Sequence, residues 1–244
     1  MDRKKFIKEI YAKYWLSARH NDYGFLEYDR NLCNFILANC NKDKILEVAI
    51  GTGFPFADYF QKQGYEVYGI DIAPILIEKC KKFNKKIICK IGDAEDIEYP
   101  TNFFLCTYCF HSTFYFSNLK QSIKEMIRVT KPGGLVIFDI QNADNYMTIL
   151  NHNKLILSKG NYFGRFVRYF KNIIKFFLKK GLIDWTQTIH ETPSYPSDIL
   201  SYLREEGIRD YDIFARLSNE KLKKIDNVND LKNYSRLVFS ISKN

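Results

Sequence analysis

A short segment with two glycines, Gly51-Thr52-Gly53, lies where a predicted strand gives way to a predicted helix. Glycines at such a turn let a ligand approach the backbone closely, and the N-terminus of the following helix directs N–H groups toward that ligand. The arrangement favours a nucleoside ligand, although a tight strand-to-helix turn has the same pattern. The dinucleotide fingerprint requires a third glycine where Phe56 stands, which disfavours NAD.

Two acidic residues follow at the spacing that a nucleoside site requires. Asp71 ends the second predicted strand, 18 positions after Gly53, where a carboxylate can accept hydrogen bonds from both ribose hydroxyls. Asp93-Ala94 ends the third predicted strand at the same sheet edge, where an acceptor can meet an adenine amino group. Together with the glycine segment, these residues predict binding of an adenine nucleoside.

The elements that position these residues alternate between strand and helix from residue 45 onward. Strands are predicted at 45–50, 66–70, 86–91, 103–110 and 135–140, and residues 131–134 are predicted to form a turn. Helices are predicted between them at 55–64, at 75–83 with Pro74 as its start, and at 119–129, where apolar residues recur on one face. This alternation implies an α/β fold with a doubly wound parallel sheet. Two helices are expected before residue 45. A long insertion with an amphipathic helix at 162–178 follows Asn142, and then come a helix at 197–206 and two β-rich runs at 211–217 and 237–242.

Length and composition are those of one ordinary globular domain spanning residues 1–244. Hydrophobic residues make up 46% and charged residues 27%, which excludes disordered and fibrous classes. No apolar run reaches the roughly 18 residues of a membrane span. The six cysteines are unevenly spaced, as expected for reduced thiols, so a cytoplasmic protein is expected.

The net charge of +9 is concentrated in the insertion. Residues 151–182 contain no Asp or Glu and eight basic residues: Lys154, Lys159, Arg165, Arg168, Lys171, Lys175, Lys179 and Lys180. A lid helix with a solvated basic face, a site for an anionic small substrate and peripheral docking to an anionic membrane all fit this cluster. Nucleic acid is disfavoured because no recognised RNA- or DNA-binding module accompanies the cluster.

Four segments taken together resemble class I S-adenosylmethionine (SAM)-dependent methyltransferases: residues 45–53, 69–74, 92–94 and 128–134. The resemblance covers about residues 45–142 and departs from the family at Ala49, where a third glycine is frequent. It implies a Rossmann-like, doubly wound sheet of seven strands whose last strand is antiparallel. It also implies an N-terminal helical cap (1–44), a SAM-binding core (45–142), a helical lid after strand 5 (143–206) and closing strands (207–244).

The resemblance also implies roles for individual residues. Glu47 would hold the methionine amino group, Asp71 the ribose diol, and Asp93 with Ala94 the adenine edge. The remaining residues expected at the cofactor are Tyr14, Ala49, Gly51, Gly53, Ile72 and Cys109. Acceptor contacts are expected from Tyr11, Tyr115, Arg165, Arg168 and Glu191.

The segment after the fourth strand limits the chemistry of the acceptor. It reads Tyr108-Cys109-Phe110-His111-Ser112 and lacks the Asn/Asp-Pro-Pro-Tyr of enzymes that methylate nucleobase nitrogens. Oxygen nucleophiles benefit from a general base, for which His111 is the first candidate and His190 the second. A structural hydrogen-bonding role for either histidine remains open. No metal is expected, because Cys106 and Cys109 would point to opposite faces of a strand.

The sequence thus predicts a SAM-dependent methyltransferase, with S-adenosylhomocysteine (SAH) as product. Its expected reaction is O-methylation of a small polar or anionic acceptor, such as a sugar, nucleotide-sugar or phosphate-bearing precursor of a bacterial surface polysaccharide. A quinone or phenol acceptor, a catalytically silent SAM-binding partner subunit and, more remotely, an NAD-dependent oxidoreductase are the alternatives. A monomer or a homodimer is expected.

Overall fold

The computed structural model describes residues 3–13, 16, 24–145 and 192–244. Its helices are α1, which runs over Arg3–Phe6 and continues as a π-helical turn at Ile7–Tyr11, α2 (Glu27–Asn39), α3 (Phe56–Lys62), α4 (Pro74–Phe83), α5 (Leu119–Val129) and α6 (Pro196–Glu205). Its strands are β1 (Lys44–Val48), β2 (Glu66–Asp71), β3 (Ile88–Ile91), β4 (Phe104–Cys109), β5 (Thr130–Gln141), β6 (Tyr211–Arg216), β7 (Leu222–Lys224) and β8 (Arg236–Ser242).

The strands form one sheet in the order β3-β2-β1-β4-β5-β8-β6-β7. Strands β1 to β5 pair in parallel, and β8 is antiparallel to both of its neighbours, β5 and β6. The doubly wound α/β sheet with an antiparallel closing strand is therefore confirmed. Within the described residues the sheet has eight strands rather than seven, because the three-residue β7 pairs with β6. With the sequence Leu-Lys-Lys, β7 is too short to show a β periodicity.

The central strands are buried on both faces, as expected for parallel strands that carry helices on either side. Ile45 and Leu46 are neighbours in β1 that belong to two different core clusters, and both are fully buried. In α5, Ile123 and Met126 pack into one of these clusters. The bounds of α5 agree with the predicted helix, whose apolar residues recur at helical spacing.

The predicted turn at residues 131–134 lies inside β5 as an irregularity of the ladder. Phe104 pairs with Thr130, and the ladder then resumes with Cys106 paired to Leu135. Gly133 has φ +75°, and its N–H donates to the carbonyl of Lys243 at 2.6 Å. A Cβ on Gly134 would lie 2.6 Å from the carbonyl oxygen of Leu105. Gly133 therefore lets β5 pair with the segment after β8, and Gly134 lets β5 lie close to the backbone of β4.

The carboxyl ends of the parallel strands meet at one edge of the sheet, and α1 lies over that edge. Nζ of Lys4 in α1 is 2.7 Å from Oδ2 of Asp93, which follows β3. In the same helix, Phe6 is buried. The cap and the core of the domain therefore enclose the space at the carboxyl edge. Among the described residues, no helix is both long and apolar enough to span a bilayer.

Candidate active site

A cavity of about 330 Å³ lies between the carboxyl edge of the sheet and the N-terminal cap. This volume is within the range of small-molecule sites. The cavity brings together many residues that the sequence indicated, namely Glu47, Ala49, Gly51, Asp71, Ile72, Asp93, Ala94, His111 and Tyr115. Residues that are distant in the chain thus meet in one space.

Two residues expected at the cofactor lie outside the lining of this cavity. Cys109 is fully buried. Gly53 has φ +80°, and a Cβ there would lie 2.8 Å from Sγ of Cys80. Gly53 therefore allows the turn to adopt its shape. A side chain at this position would disfavour the positive φ angle and would collide with Cys80.

The segment after β1 turns sharply and is tied to β2. Ala49 and Gly51 both have positive φ angles, 61° and 59°. The N–H of Ile50 donates to the carbonyl of Ile70 at 2.9 Å, and that of Gly51 donates to Oδ2 of Asp71 at 2.9 Å. These bonds hold the backbone of the segment along the cavity wall. An alanine in the left-handed region costs about 1 kcal/mol, which explains why glycine is frequent at this position in the similar family.

Asp71 faces the cavity with acceptor capacity left over. Its Oδ1 accepts from the N–H of Ala73 and its Oδ2 from that of Gly51, both at 2.9 Å. A carboxylate offers about four acceptor positions, so about two remain for a ligand's hydroxyls. Burial raises the pKa of Asp71 to about 6, although the two backbone N–H groups lower it.

Glu47 is a second buried carboxylate in the lining. It accepts a hydrogen bond from the hydroxyl of Tyr108 at 3.0 Å and another from the backbone N–H of Ala57. Burial raises the pKa of Glu47 to about 8. Both donors are neutral, so a cationic group of a ligand would be needed to favour the ionised carboxylate at neutral pH.

The wall at Asp93 is bridged by the N-terminal cap. Lys4 Nζ lies 2.7 Å from Asp93 Oδ2 and also 2.7 Å from Glu95 Oε2. Asp93 Oδ1 accepts from the N–H of Glu95 at 2.9 Å. Lys4 thus fastens α1 to the loop that the family resemblance assigns to adenine.

His111 follows β4, and hydrogen bonds hold its backbone N–H and both nitrogens of its ring. Its φ is 58°, and its backbone N–H donates to Asp139 Oδ1 at 2.7 Å. Its Nε2 lies 2.7 Å from Asp29 Oδ1, and its Nδ1 lies 2.9 Å from Nη1 of Arg236. A guanidinium can only donate hydrogen bonds, so Nδ1 accepts the bond from Arg236. Nε2 therefore carries the ring proton and donates a hydrogen bond to Asp29. The hydrogen-bond network therefore assigns the Nε2–H tautomer.

Two arginines line the cavity on the side of His111. Arg236 Nη1 also donates to Asp139 Oδ2 at 2.5 Å. Arg216 Nη2 donates to Glu220 Oε1 at 2.6 Å, and its guanidinium carbon lies 4.6 Å from the ring centroid of Tyr28. The lining therefore has one side with the carboxylates of Glu47, Asp71, Asp93 and Glu95 and another with His111 and two guanidinium groups.

Sequence reasoning did not find Asp29, Arg216, Arg236 or Lys4. Asp29 also accepts from the backbone N–H of Leu26, so its local pattern is that of an ordinary helix start. Arg216 and Arg236 lie in β-rich runs that indicated only closing strands. None of these residues belongs to a local motif, and only their meeting in space identifies them.

Several predicted site residues lie outside the described part of the chain: Tyr14, Arg165, Arg168, His190 and Glu191, together with the side chain of Tyr11. The lid helix expected at 162–178 also lies outside it. Their roles remain predictions. Among the described residues, no group of three or more His, Cys, Asp or Glu side chains is arranged to hold a metal ion.

Comparison with sequence families gives a match over the sheet core. Residues 46–138 match a family model described as a methyltransferase domain. A malonyl-[acyl-carrier protein] O-methyltransferase of Serratia marcescens is 28% identical over 98 residues, which cover 39% of this chain and 37% of that protein. A demethylmenaquinone methyltransferase of Chlorobaculum parvum is 34% identical over 91 residues, covering 37% of this chain and 38% of the relative. These matches span well under two thirds of either relative's length.

Comparison with solved structures gives a match over the whole chain. A SAM-dependent methyltransferase of Thermotoga maritima superposes with a TM-score of 0.61 at 14% identity, covering 100% of both chains. At this identity the likeness concerns the fold. It extends beyond the sheet core to the cap and the closing strands.

Proposed function

We propose that this chain, whose residues 46–138 form a class I SAM-dependent methyltransferase domain, methylates an oxygen atom of a small acceptor. The observation that supports this most is the place of His111 in the cavity. Its Nε2 is paired with Asp29 at 2.7 Å, and the same cavity is lined by Glu47 and Asp71. A candidate base and candidate cofactor contacts thus share one space.

The described residues fit the cofactor on chemical grounds. Glu47 is a buried carboxylate suited to an ammonium group, and Asp71 retains acceptor positions for a ribose diol. Asp93, Ala94 and Ile72 line the part of the cavity where adenine is expected. When bound, SAM supplies a methyl group on a positively charged sulfur, which is already a good electrophile.

The task left to the protein is to orient the acceptor and to take its proton. Asp29 holds the His111 ring by accepting from Nε2–H, so the proton of the acceptor hydroxyl would go to Nδ1. The resulting imidazolium would face Asp29 and also Asp139, whose Oδ2 lies 3.4 Å from Nδ1. These two carboxylates would pair with the positive charge that forms on the ring.

A quinone or phenol acceptor is the second candidate. The cavity lining includes the rings of Phe54, Phe56, Phe110, Phe114 and Phe116, which suit a flat apolar acceptor. The relative from Chlorobaculum parvum carries a name of this class. A polysaccharide precursor has no comparable support from the relatives described above.

Incubating the purified protein with methyl-labelled SAM and a panel of hydroxy acids, sugar phosphates, phenols and amines tests this proposal. We expect label on oxygen of at least one acceptor and an equal amount of SAH. His111→Asn should lower this rate by roughly 10²–10⁴-fold with SAH affinity retained. Label on nitrogen or carbon would contradict O-methylation. SAH binding without turnover of any acceptor in the panel would favour a silent SAM-binding subunit.

A further inference from the structure

We propose, as an extension of the proposed function, that the acceptor carries a carboxylate or phosphate group bound by Arg216 and Arg236, and that Arg236 releases His111 on binding it. The sequence directed attention to Arg165 and Arg168 in the insertion for this role. The described cavity instead contains two arginines beside the candidate base.

The closing strands place the two arginines next to each other. β6 and β8 pair antiparallel from Tyr211↔Ile241 to Ala215↔Leu237. Arg216 follows Ala215 and Arg236 precedes Leu237, so they are the next opposed positions of the same ladder. Side chains at opposed positions on neighbouring strands lie close together. Both arginines line the cavity, with side chains 30% and 17% exposed.

Arg216 has donors to offer a ligand. Within the described part of the chain, its hydrogen bonds go to Glu220 alone, through Nη2. A guanidinium has five N–H donors in a planar fork that matches carboxylate and phosphate oxygens. The ring of Tyr28 supports the face of this guanidinium and leaves its edge for hydrogen bonds.

Arg236 has a different task, because it occupies the proton-accepting atom of His111. Its Nη1 donates to Nδ1 at 2.9 Å, so the Nδ1 lone pair is engaged and cannot receive a proton. The base is therefore capped in the structure described here. An oxyanion bound at Arg216 would attract the second guanidinium away from Nδ1.

The charged groups around His111 support proton transfer to Nδ1 after Arg236 has moved to the acceptor. Nε2 of the ring faces Asp29, and Nδ1 faces both Asp139 and Arg236. The rings of Tyr28 and Phe56 lie beside the imidazole, and Arg216 lies over the ring of Tyr28. Once the guanidinium turns to the acceptor, two carboxylates remain beside the imidazole. Nδ1 can then accept the proton of the acceptor, and the two carboxylates can pair with the positive charge that forms on the ring.

The transfer step balances in atoms and charge. The hydroxyl proton of the acceptor moves to Nδ1 as the acceptor oxygen bonds to the methyl carbon. The carbon–sulfur bond breaks, and its electron pair stays on sulfur to give the thioether of SAH. An acceptor without an oxyanion would leave Nδ1 capped, so the device also selects the substrate class.

Histidine ¹⁵N NMR on the SAH-saturated protein tests the inference, with inorganic phosphate and malonate as separate probes and chloride at equal ionic strength as control. We expect each probe to change the ¹⁵N chemical shift of His111 Nδ1, because the hydrogen bond from Arg236 is lost, and chloride to leave that shift unchanged. His111→Asn identifies these signals. The probe that binds more tightly indicates whether phosphate or carboxylate is preferred.

Variants distinguish loss of the hydrogen bond between Arg236 and Nδ1 from a direct effect of the bound anion on the His111 signal. Arg236→Gln should show the changed Nδ1 chemical shift without any probe, because the guanidinium that donates to Nδ1 is then absent. Arg216→Gln should weaken binding of the preferred probe at least tenfold, and the exposed Arg204→Gln should leave it unchanged.

Two results would overturn the inference. One is a probe affinity that Arg216→Gln does not change, and the other is a His111 Nδ1 chemical shift that neither the probes nor Arg236→Gln changes. SAH affinity is measured in the same samples. An intact SAH site with either result overturns only the oxyanion subsite, whereas a wild-type protein that does not bind SAH overturns the proposed function.

Discussion

Nε2 of His111 and Oδ1 of Asp29 lie 2.7 Å apart, although 82 positions separate the two residues in the chain. Asp29 lies in helix α2 and is fully buried, whereas His111 follows β4 at the cavity. The bond therefore connects the N-terminal helical region to the end of the sheet where the acceptor is expected. The cap takes part in the proposed chemistry as well as enclosing it.

We expect Asp29→Asn to lower the rate of methyl transfer by roughly 10–10³-fold, because an amide can hold the ring but cannot stabilise the imidazolium. SAH affinity should stay within about twofold of wild type, since Asp29 is absent from the cavity lining. Glu27→Gln, an exposed change in the same helix, is the control. Rates of Asp29→Asn equal to those of the control would show that Asp29 has only a structural role.

Glu47 gives a prediction in which stability and binding change in opposite directions. Burial raises its pKa from the usual 4.5 to about 8, so the folded protein binds more protons than the unfolded chain between these values. The stability of the ligand-free protein should therefore fall as the pH rises from about 5 to 8.

Glu47→Gln removes this titration and should stabilise the ligand-free protein at pH 8 by about 1–4 kcal/mol. It should also weaken SAH binding, because the amide cannot pair with an ammonium group. Urea unfolding at pH 5 and pH 8 measures the first effect, with the exposed Glu66→Gln as control. A Glu47→Gln protein with an unchanged pH profile would mean that Glu47 is ionised in the ligand-free fold.

Lys4 fastens the cap over the proposed adenine end of the cavity. We expect Lys4→Met to speed SAH dissociation several-fold, because the ion pairs with Asp93 and Glu95 are lost. The change in free energy should be below about 1 kcal/mol, since these groups are partly exposed. Stopped-flow dissociation measures it, with the exposed neighbour Lys5→Met as control. Equal dissociation rates for the two variants would show that the cap does not retain the ligand.

The sequence predicted the sheet core well because each element there carries its own local signal. The bounds of α5 and of the helix starting at Pro74 follow from apolar periodicity and from a proline at the helix start. The segment at 131–134 was predicted as a turn, but its glycines pair with the chain after β8. That partner is more than 100 positions away, so no local pattern reveals it.

The residues of the candidate site likewise fall into those with a local sequence signal and those without one. Glu47, Asp71 and Asp93 follow consecutive strands and could be found from their spacing. Asp29 and Arg236 reach His111 from opposite ends of the chain, through a helix and a strand whose local patterns indicate only secondary structure. Charge density in the sequence pointed to the insertion, whereas the described cavity takes its guanidinium groups from two closing strands with little excess charge.

Titration calorimetry with SAH on wild type, Asp71→Asn and the control Glu66→Gln is the most direct test of the account. We expect one SAH per chain with micromolar affinity for wild type and for the control. Asp71→Asn should bind about 10–10³-fold more weakly, because it loses charge-assisted hydrogen bonds to the ribose. No binding of SAH to the folded wild type, or equal affinity for Asp71→Asn and wild type, would contradict the account.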